Sequence, residues 1–130
     1  DLHSFPTRRS SDLQLVRDKA YAPYSKFNVG AALLAKSGKT YTGVNIENAS
    51  YPAGLCAERA AFASAVSAGE REFSAIAICG GKGEAWPCGI CRQFMFEFSS
   101  GEDLRVITGS DEDNLEVLSI GELLVKGFRL

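Results

Sequence analysis

The sequence predicts an α/β sandwich, because segments with the pattern of strands alternate with segments with the pattern of helices. The chain has 130 residues, of which 45% are hydrophobic, and this is enough for one domain with its own core. Residues 27–35 are apolar at both alternating sets of positions. Because a strand of this kind is covered on both faces, helices are expected on both sides of the sheet.

Turn and helix-end residues separate the predicted elements. Pro23 ends the first helix, and a turn around Gly38 joins the first two strands. Gly69 is placed to end an alanine-rich helix as its C′ residue. The predicted elements, in chain order, are a helix over 14–21, strands over 27–35 and 40–46, a helix over 57–68, a strand over 74–80, a helix over 89–99, strands over 104–108 and 114–118 around an acidic turn at 111–113, and a helical turn over 121–125.

Residues 1–13 do not fit this pattern. The stretch DLHSFPTRRSSDL lacks apolar periodicity, and its Ser, Arg and Pro content is typical of disorder. It also reads as the translation of a common sequencing-library adapter. We therefore expect 1–13 to be a non-native, adapter-derived tail and 14–130 to be the domain, with its first helix truncated. An ordinary tail or a basic targeting segment is the alternative, and genomic codons for 1–13 upstream of Gln14 would establish it.

Two cysteine motifs carry the strongest chemical signal. Cys56 is followed by Ala57 and Glu58, and Cys88 and Cys91 form a Cys-x-x-Cys pair that begins directly after a proline. Both motifs fall at predicted helix starts, where partial positive charge favours thiolates over thiols. Three thiolates leave the fourth corner of a zinc tetrahedron open for water, as in a catalytic site, whereas a structural site is closed by four protein ligands. The spacing therefore predicts a hydrolytic zinc site.

Glu58 is expected to be the proton shuttle of this site, taking a proton from the water and delivering it to the substrate. The alternative is a helix N-terminal glutamate that complements the helix dipole. For Cys56, Cys88 and Cys91 the alternatives are buried core thiols or disulfides, since the chain has four cysteines. Cys79 lies in a predicted strand without a partner motif, and we interpret it as a core residue.

Two further stretches carry a family resemblance: YAPYSKFNVGAAL at 21–33 and GVNIENASY at 43–51. Together with the cysteine motifs, they make residues 20–128 resemble the small homotetrameric cytidine deaminases that act on free nucleosides. The resemblance implies a three-layer α/β/α sandwich with a mixed sheet of about five strands. It also implies one Zn²⁺ per chain and hydrolytic deamination of cytidine and 2′-deoxycytidine through a zinc-bound hydroxide, for pyrimidine salvage.

The resemblance also assigns residues to nucleoside binding. Asn45 and Glu47 flank one residue at a strand end, so their side chains share a face, and the matching pair in the family holds the ribose hydroxyl. Phe27 matches an aromatic residue that packs against the nucleoside, Ala57 a position whose backbone reads the base, and Tyr51 a position beside the pocket. Alternatively, the polar pair caps a turn and the phenylalanine belongs to the core.

Three more residues have implied roles around the site. In the family, the residues matching Arg59 and Arg92 hydrogen-bond the zinc-bound sulfurs, which would offset the net negative charge of three thiolates on one divalent ion. Solvated helix positions are the alternative for both. Phe128 matches a C-terminal phenylalanine that reaches into the site of a neighbouring subunit, although Val125 and Lys126 depart from the run that usually precedes it. The sites are therefore expected to be completed across subunits of the tetramer.

Composition excludes several other partners. A net charge of −2 gives no footprint for a nucleic acid, and no apolar run is long enough to cross a membrane. Free thiols indicate the cytoplasm.

A zinc deaminase of another small cytosine compound, such as blasticidin S, is the nearest rival function, but such proteins generally lack the Asn-Ile-Glu-Asn run. A tRNA adenosine deaminase usually has histidine at the position of Cys56, and a non-catalytic zinc-stabilised binding module would need a fourth ligand.

Overall fold

The computed structural model describes residues 10–81, 85–99, 104–109 and 114–130, with the side chains from residue 13 onwards. The predicted turn at 111–113 and most of the predicted tail lie outside these residues. The structure has five strands and four α-helices within the described ranges: α1 (Ser10–Arg17), β1 (Gly30–Ala35), β2 (Thr40–Val44), α2 (Ala57–Ser67), β3 (Phe73–Cys79), α3 (Gly89–Phe96), β4 (Arg105–Gly109), β5 (Leu115–Ser119) and α4 (Ile120–Leu123).

The strands form one mixed sheet in the order β2-β1-β3-β4-β5. Strands β3 and β4 are parallel, whereas the other neighbouring pairs are antiparallel. One face packs against α2 and α3 through the larger core cluster, which includes Phe62, Ile76 and Met95. The other face packs against α1 through a smaller cluster that includes Leu13 and Ile107. The predicted three-layer α/β sandwich with a mixed five-stranded sheet is thus confirmed, with one thin helical layer.

The first helix differs from its predicted bounds. It begins at Ser10 and ends at Arg17, and a turn follows instead of the predicted continuation to Tyr21. Tyr21 is instead bridged to Ile46, because its backbone N–H and C=O bond the chain just after β2. Leu13, which we assigned to the tail, is 5% exposed and packs in the smaller core cluster. The adapter origin of residues 1–13 stays a prediction.

Strand β1 is shorter than predicted and begins at Gly30 instead of Phe27. The preceding residues are held mostly by one side chain, together with a backbone hydrogen bond from the Asn45 N–H to the Val29 carbonyl at 3.2 Å. The Asn45 side chain accepts a hydrogen bond from the Val29 N–H at 2.8 Å and donates one to the Phe27 carbonyl at 2.8 Å. Residue 45 therefore shapes the segment that leads into β1.

Helix α2 lies very close to the sheet. Ala57, Ala61 and Ala65 form a fully buried stripe at four-residue spacing, and small side chains permit a short distance between helix and strand. Gly43 completes the contact, because a Cβ at this position would lie 2.3 Å from the backbone nitrogen of Ala61. After the helix, Gly69 has φ +101°, as predicted for its C′ residue. In the described ranges no helix is long and apolar enough to cross a membrane.

Candidate active site

Three thiols meet where α2 and α3 begin. Cys56 is the N-cap of α2, Cys88 is the N-cap of α3, and Cys91 lies in the first turn of α3. The three sulfur atoms lie within 4.8 Å of one another, and the Sγ atoms of Cys56 and Cys88 are 3.7 Å apart. Tetrahedral zinc with Zn–S bonds of about 2.3 Å requires sulfur atoms about 3.8 Å apart. Both the donor chemistry and the spacing fit a zinc ion.

The electrostatics of the thiols favour metal binding. The pKa of Cys56 is lowered to about 5, first by its hydrogen bond with Cys91 and then by a hydrogen bond from Arg59. The same hydrogen bond raises the pKa of Cys91, together with its burial. The thiolate of Cys56 is the form that binds a metal ion, and the positive end of α2 stabilises it further.

Glu58 lies beside the thiols and is almost fully buried, with 4% of its surface exposed. Burial is the largest cause that raises the pKa of its carboxyl group, and the nearby charge of Cys56 raises it further. A carboxyl group with a raised pKa exchanges protons near neutral pH more readily than an exposed one. The position and environment of Glu58 suit a group that accepts a proton and then donates it.

The two arginines next to the motifs differ in their contacts. The Nη2 atom of Arg59 lies 3.7 Å from the Sγ atom of Cys56 and 3.4 Å from the Gly54 carbonyl. Arg92 instead donates from Nε to the Pro87 carbonyl at 2.7 Å and from Nη1 to the Leu123 carbonyl at 2.9 Å. The expected arginine–thiolate hydrogen bond is therefore present for Arg59. For Arg92 it is replaced by two carbonyl contacts that tie the start of α3 to α4.

A cavity of about 340 Å³ opens onto Glu58 and two of the thiols, and its volume is in the range of small-molecule sites. Apart from Glu58 and the two thiols, its wall is apolar and aromatic with one amide, that of Asn45. Phe27, one of the predicted substrate-binding residues, lines this cavity, as does Ala57. The full lining is Phe27, Val29, Asn45, Cys56, Ala57, Glu58, Ile78, Ala85, Trp86 and Cys88.

A second cavity of about 520 Å³ shares Asn45 and Cys56 with the first, so the two adjoin. Glu47 and Tyr51 line it, and the ring of Tyr51 packs edge-on against Tyr24 with a centroid distance of 6.2 Å. The structure thus brings both members of the predicted polar pair to one continuous opening. Cys56 lines both cavities and Cys88 lines the smaller one, so the two cavities reach two of the three thiols.

Phe128 lies away from both cavities. The residue is 67% exposed, while its backbone N–H and C=O bond the side chain of Gln93 at 3.1 and 2.8 Å. The backbone is therefore fixed against α3 while the ring points outward. Two other apolar residues are also exposed: Val125, three positions before Phe128, and Ile90, which lies on α3 with Gln93.

Sequence reasoning missed three residues that shape the site. Trp86 lines the smaller cavity, and its place directly before the Pro-Cys motif was an available signal. Ser25 contacts Glu47 through a side-chain hydrogen bond. Arg17 of α1 donates to the Gly80 carbonyl, beside the ring of Phe27, from more than sixty positions earlier in the chain. No local pattern marks the last two contacts, because both depend on the fold.

Comparison with known families first defines the class of the protein. Residues 8–108 match the family model described as the cytidine and deoxycytidylate deaminase zinc-binding region. This stretch contains the three thiols and Glu58. Fold and site thus define a zinc-dependent deaminase, and the donor set observed here is the one that this class requires.

Individual relatives narrow the class. The chain is 47% identical to a cytidine deaminase from Sporosarcina psychrophila over 86% of this chain and 82% of the relative. It is 45% identical to one from Halalkalibacterium halodurans over 86% of this chain and 85% of the relative. A crystal structure of cytidine deaminase from Burkholderia pseudomallei superposes with a TM-score of 0.83 at 45% identity, covering 91% of this chain and 94% of the other. The chain belongs to the zinc-dependent cytidine deaminase family.

Proposed function

We propose that the chain catalyses the hydrolytic deamination of cytidine and 2′-deoxycytidine to uridine and 2′-deoxyuridine, with release of ammonia. The observation that carries this proposal is the buried carboxyl group of Glu58 beside three converging thiols, at the inner end of a cavity of about 340 Å³. Such a site combines a metal-binding position, a residue that can transfer protons and a cavity that can hold a flat ring. The relatives are named cytidine deaminases, which favours this activity over the two rivals, blasticidin S deamination and a non-catalytic zinc module.

Cys56, Cys88 and Cys91 would hold the zinc ion. When bound, zinc lowers the pKa of water toward neutrality and so supplies a nucleophile at ordinary pH. Arg59 places a positive charge next to the Cys56 sulfur and reduces the negative charge that three thiolates concentrate there. The arginine thereby keeps the site from becoming too electron-rich to activate water.

Glu58 carries the protons in this proposal. Its carboxylate takes a proton from the attacking water and delivers it to the ring nitrogen next to the amine-bearing carbon. It then takes the second proton, from the hydroxyl group now on that carbon, and gives it to the amine as the C–N bond breaks, so that ammonia leaves and a carbonyl group remains. Burial raises the pKa of Glu58 above that of an exposed carboxyl group, which favours a role as both proton acceptor and proton donor.

The adjoining cavities support a nucleoside as the substrate. The smaller cavity would hold the base between Phe27 and the backbone at Ala57, and the larger one would hold the sugar near Glu47 and Tyr51. Asn45 lines both cavities and would contact the sugar where it joins the base. Glu47 already accepts three hydrogen bonds and keeps one acceptor position, which favours a ligand that presents a hydroxyl group at this place.

The test is the ultraviolet absorbance of cytidine incubated with the purified, zinc-loaded chain, with Glu58→Gln as the matched control. The wild type is expected to deplete the cytidine band. The variant should keep one zinc ion per chain and lose about 10²- to 10⁴-fold in kcat, the contribution of a general acid–base group. Activity at the wild-type level in Glu58→Gln would remove the proton carrier from the mechanism. If the wild type holds zinc but does not deplete cytidine, the proposal that cytidine is the substrate is refuted.

The assembly is proposed to be a homotetramer in the cytoplasm. Phe128 supports it, because its ring is exposed and its backbone is fixed, as for a side chain that enters a neighbouring subunit. Ile90 and Val125 add exposed apolar surface of the kind that subunit contacts bury. A reducing compartment keeps the three thiols available for metal. Light scattering of the zinc-loaded chain should give the mass of four chains, and a monomer with full activity would contradict the shared site.

A further inference from the structure

Glu47 is already hydrogen-bonded to the segment that precedes β1. Its Oε1 atom accepts the N–H groups of Tyr24 and Ser25 at 2.9 and 3.1 Å. Its Oε2 atom accepts the hydroxyl of Ser25 at 2.5 Å. A carboxylate offers about four acceptor positions, so three of them are taken before any ligand enters.

The hydroxyl of Ser25 makes a second contact. While it donates to Glu47, its oxygen accepts the backbone N–H of Phe27 at 3.0 Å. One hydroxyl therefore connects a carboxylate on the sugar side of the opening to an aromatic residue on the base side. Hydrogen bonds to an ionised carboxylate are short and strong, and the distance between Ser25 and Glu47 fits this type.

The backbone between the two contacts is strained. Lys26 has φ +60°, in the left-handed region that residues other than glycine rarely adopt. Such a conformation persists only where its surroundings enforce it. Ser25 enforces it from one side, and the Asn45 side chain holds the Phe27 carbonyl from the other. Without these bonds, the segment would be expected to relax to a more extended backbone.

We propose that Ser25 is a positioning residue, whose hydroxyl fixes Phe27 against the cavity by bridging its backbone to Glu47. This inference rests on the proposed function, because it assigns Ser25 a role in the same nucleoside site. The ring of Phe27 lies on the backbone of Gly80, where an added Cβ would be 3.0 Å from the ring. A turn that relaxes at Lys26 would therefore move the ring out of this place and widen the cavity.

The interaction also sets the state of Glu47. The hydroxyl of Ser25 is the largest cause that lowers the pKa of the Glu47 carboxyl group, so the bridge and the ionised carboxylate stabilise each other. An ionised Glu47 with one acceptor position left is suited to a single additional donor. Ser25 thus acts on binding through both of its neighbours.

The test compares Ser25→Ala with Ser25→Thr, which keeps the hydroxyl. For Ser25→Ala, KM for cytidine is expected to rise about tenfold or more, the usual effect of losing a hydrogen bond to a charged group, with kcat within about twofold of wild type. Ser25→Thr should restore KM to near the wild-type value. An unchanged KM in Ser25→Ala, or an equal rise in both variants, would overturn the proposal.

Ser37→Ala is the matched control. Ser37 donates its hydroxyl to Glu70 at 2.6 Å and accepts the Lys39 N–H at 3.4 Å, so it repeats the serine–glutamate link in the β1–β2 turn, outside both cavities. This variant should leave KM unchanged. A rise equal to that of Ser25→Ala would show a general effect on the fold and overturn the positioning role.

Hydrogen exchange separates this inference from the proposed function, because it needs no turnover. The backbone amide of Phe27 should exchange faster in Ser25→Ala than in wild type or Ser25→Thr. If the wild type fails to deaminate cytidine, but the Phe27 amide still exchanges faster in Ser25→Ala, the proposed function is refuted. The positioning of Phe27 by Ser25 is then supported. Active wild type with the same exchange in all three proteins would refute the restraint and leave the function standing.

Discussion

Replacing Gly43 with alanine tests whether the close approach of α2 to the sheet sets the geometry of the zinc site. The new Cβ would lie 2.3 Å from the backbone nitrogen of Ala61 and 2.5 Å from the carbonyl oxygen of Ala57. Both neighbours are backbone atoms, so no side-chain rotation relieves the overlap. The helix must withdraw by about 1 Å to reach ordinary contact distances.

Two effects of different size follow from this displacement. Overpacking of a core contact destabilises a protein by about 1–3 kcal/mol. The start of α2 carries Cys56, Ala57 and Glu58, and a displacement of about 1 Å at reacting groups lowers the rate by about 10²-fold. Gly43→Ala should therefore lose stability moderately and kcat strongly.

The control is Gly38→Ala, in the β1–β2 turn. Gly38 has φ +94° and no atom within 4 Å of an added Cβ, so alanine introduces backbone strain of about 1 kcal/mol without displacing an element. Urea unfolding should show both variants destabilised, whereas kcat at saturating cytidine should fall only in Gly43→Ala. Wild-type kcat in Gly43→Ala, with zinc bound, would refute the link between helix position and catalysis.

Three further perturbations test other contacts of the site and the fold. Arg17→Met removes a hydrogen bond to the carbonyl after β3 that backs the ring of Phe27, and KM for cytidine should rise about tenfold in steady-state assays. Glu70→Gln should lower the urea midpoint at pH 7. Hydrogen bonds from Ser37 and Tyr41 hold the pKa of Glu70 below the usual 4.5 of a glutamate. The stabilisation by Glu70 is therefore present above pH 4.5, and the difference between variant and wild type should close as the pH falls below it. Cys88→Ser should lower the zinc content measured by metal analysis and abolish turnover, and a chelator should reproduce this loss in wild type until zinc is restored.

The parts of the fold that the sequence predicts are those with local signals. Helix α2 and its C′ glycine were predicted within one residue, because the N-cap Cys56 and Gly69 mark both ends. The first helix was placed too late, since Tyr21 leaves the helix to pair with residues around Ile46. That pairing is a tertiary contact, and no pattern in residues 14–21 reports it.

The residues of the site also fall into two groups, those that a local sequence pattern predicts and those whose contacts depend on the fold. The cysteine spacing predicts the metal cluster, because both motifs are short and each begins a helix. The partners of Arg92 could not be predicted, since the Leu123 carbonyl reaches it only through the packing of α4 on α3. Nor does any periodicity distinguish Ser25 from a turn serine, because its role depends on Glu47, which lies 22 residues further along the chain.

The proposed sharing of each site between two subunits can be tested with mixed tetramers. Phe128→Ala and Glu58→Gln would each inactivate a site, but in a tetramer the two lesions fall on different chains. If Phe128 acts in a neighbouring subunit, random co-assembly gives about a quarter of the sites both an intact Glu58 and an intact neighbouring phenylalanine. Co-expression of the two variants with different tags, followed by purification on both tags, should therefore recover activity that neither variant has alone. If Phe128 instead served its own chain, every site would lack one of the two residues, and mixing would restore nothing.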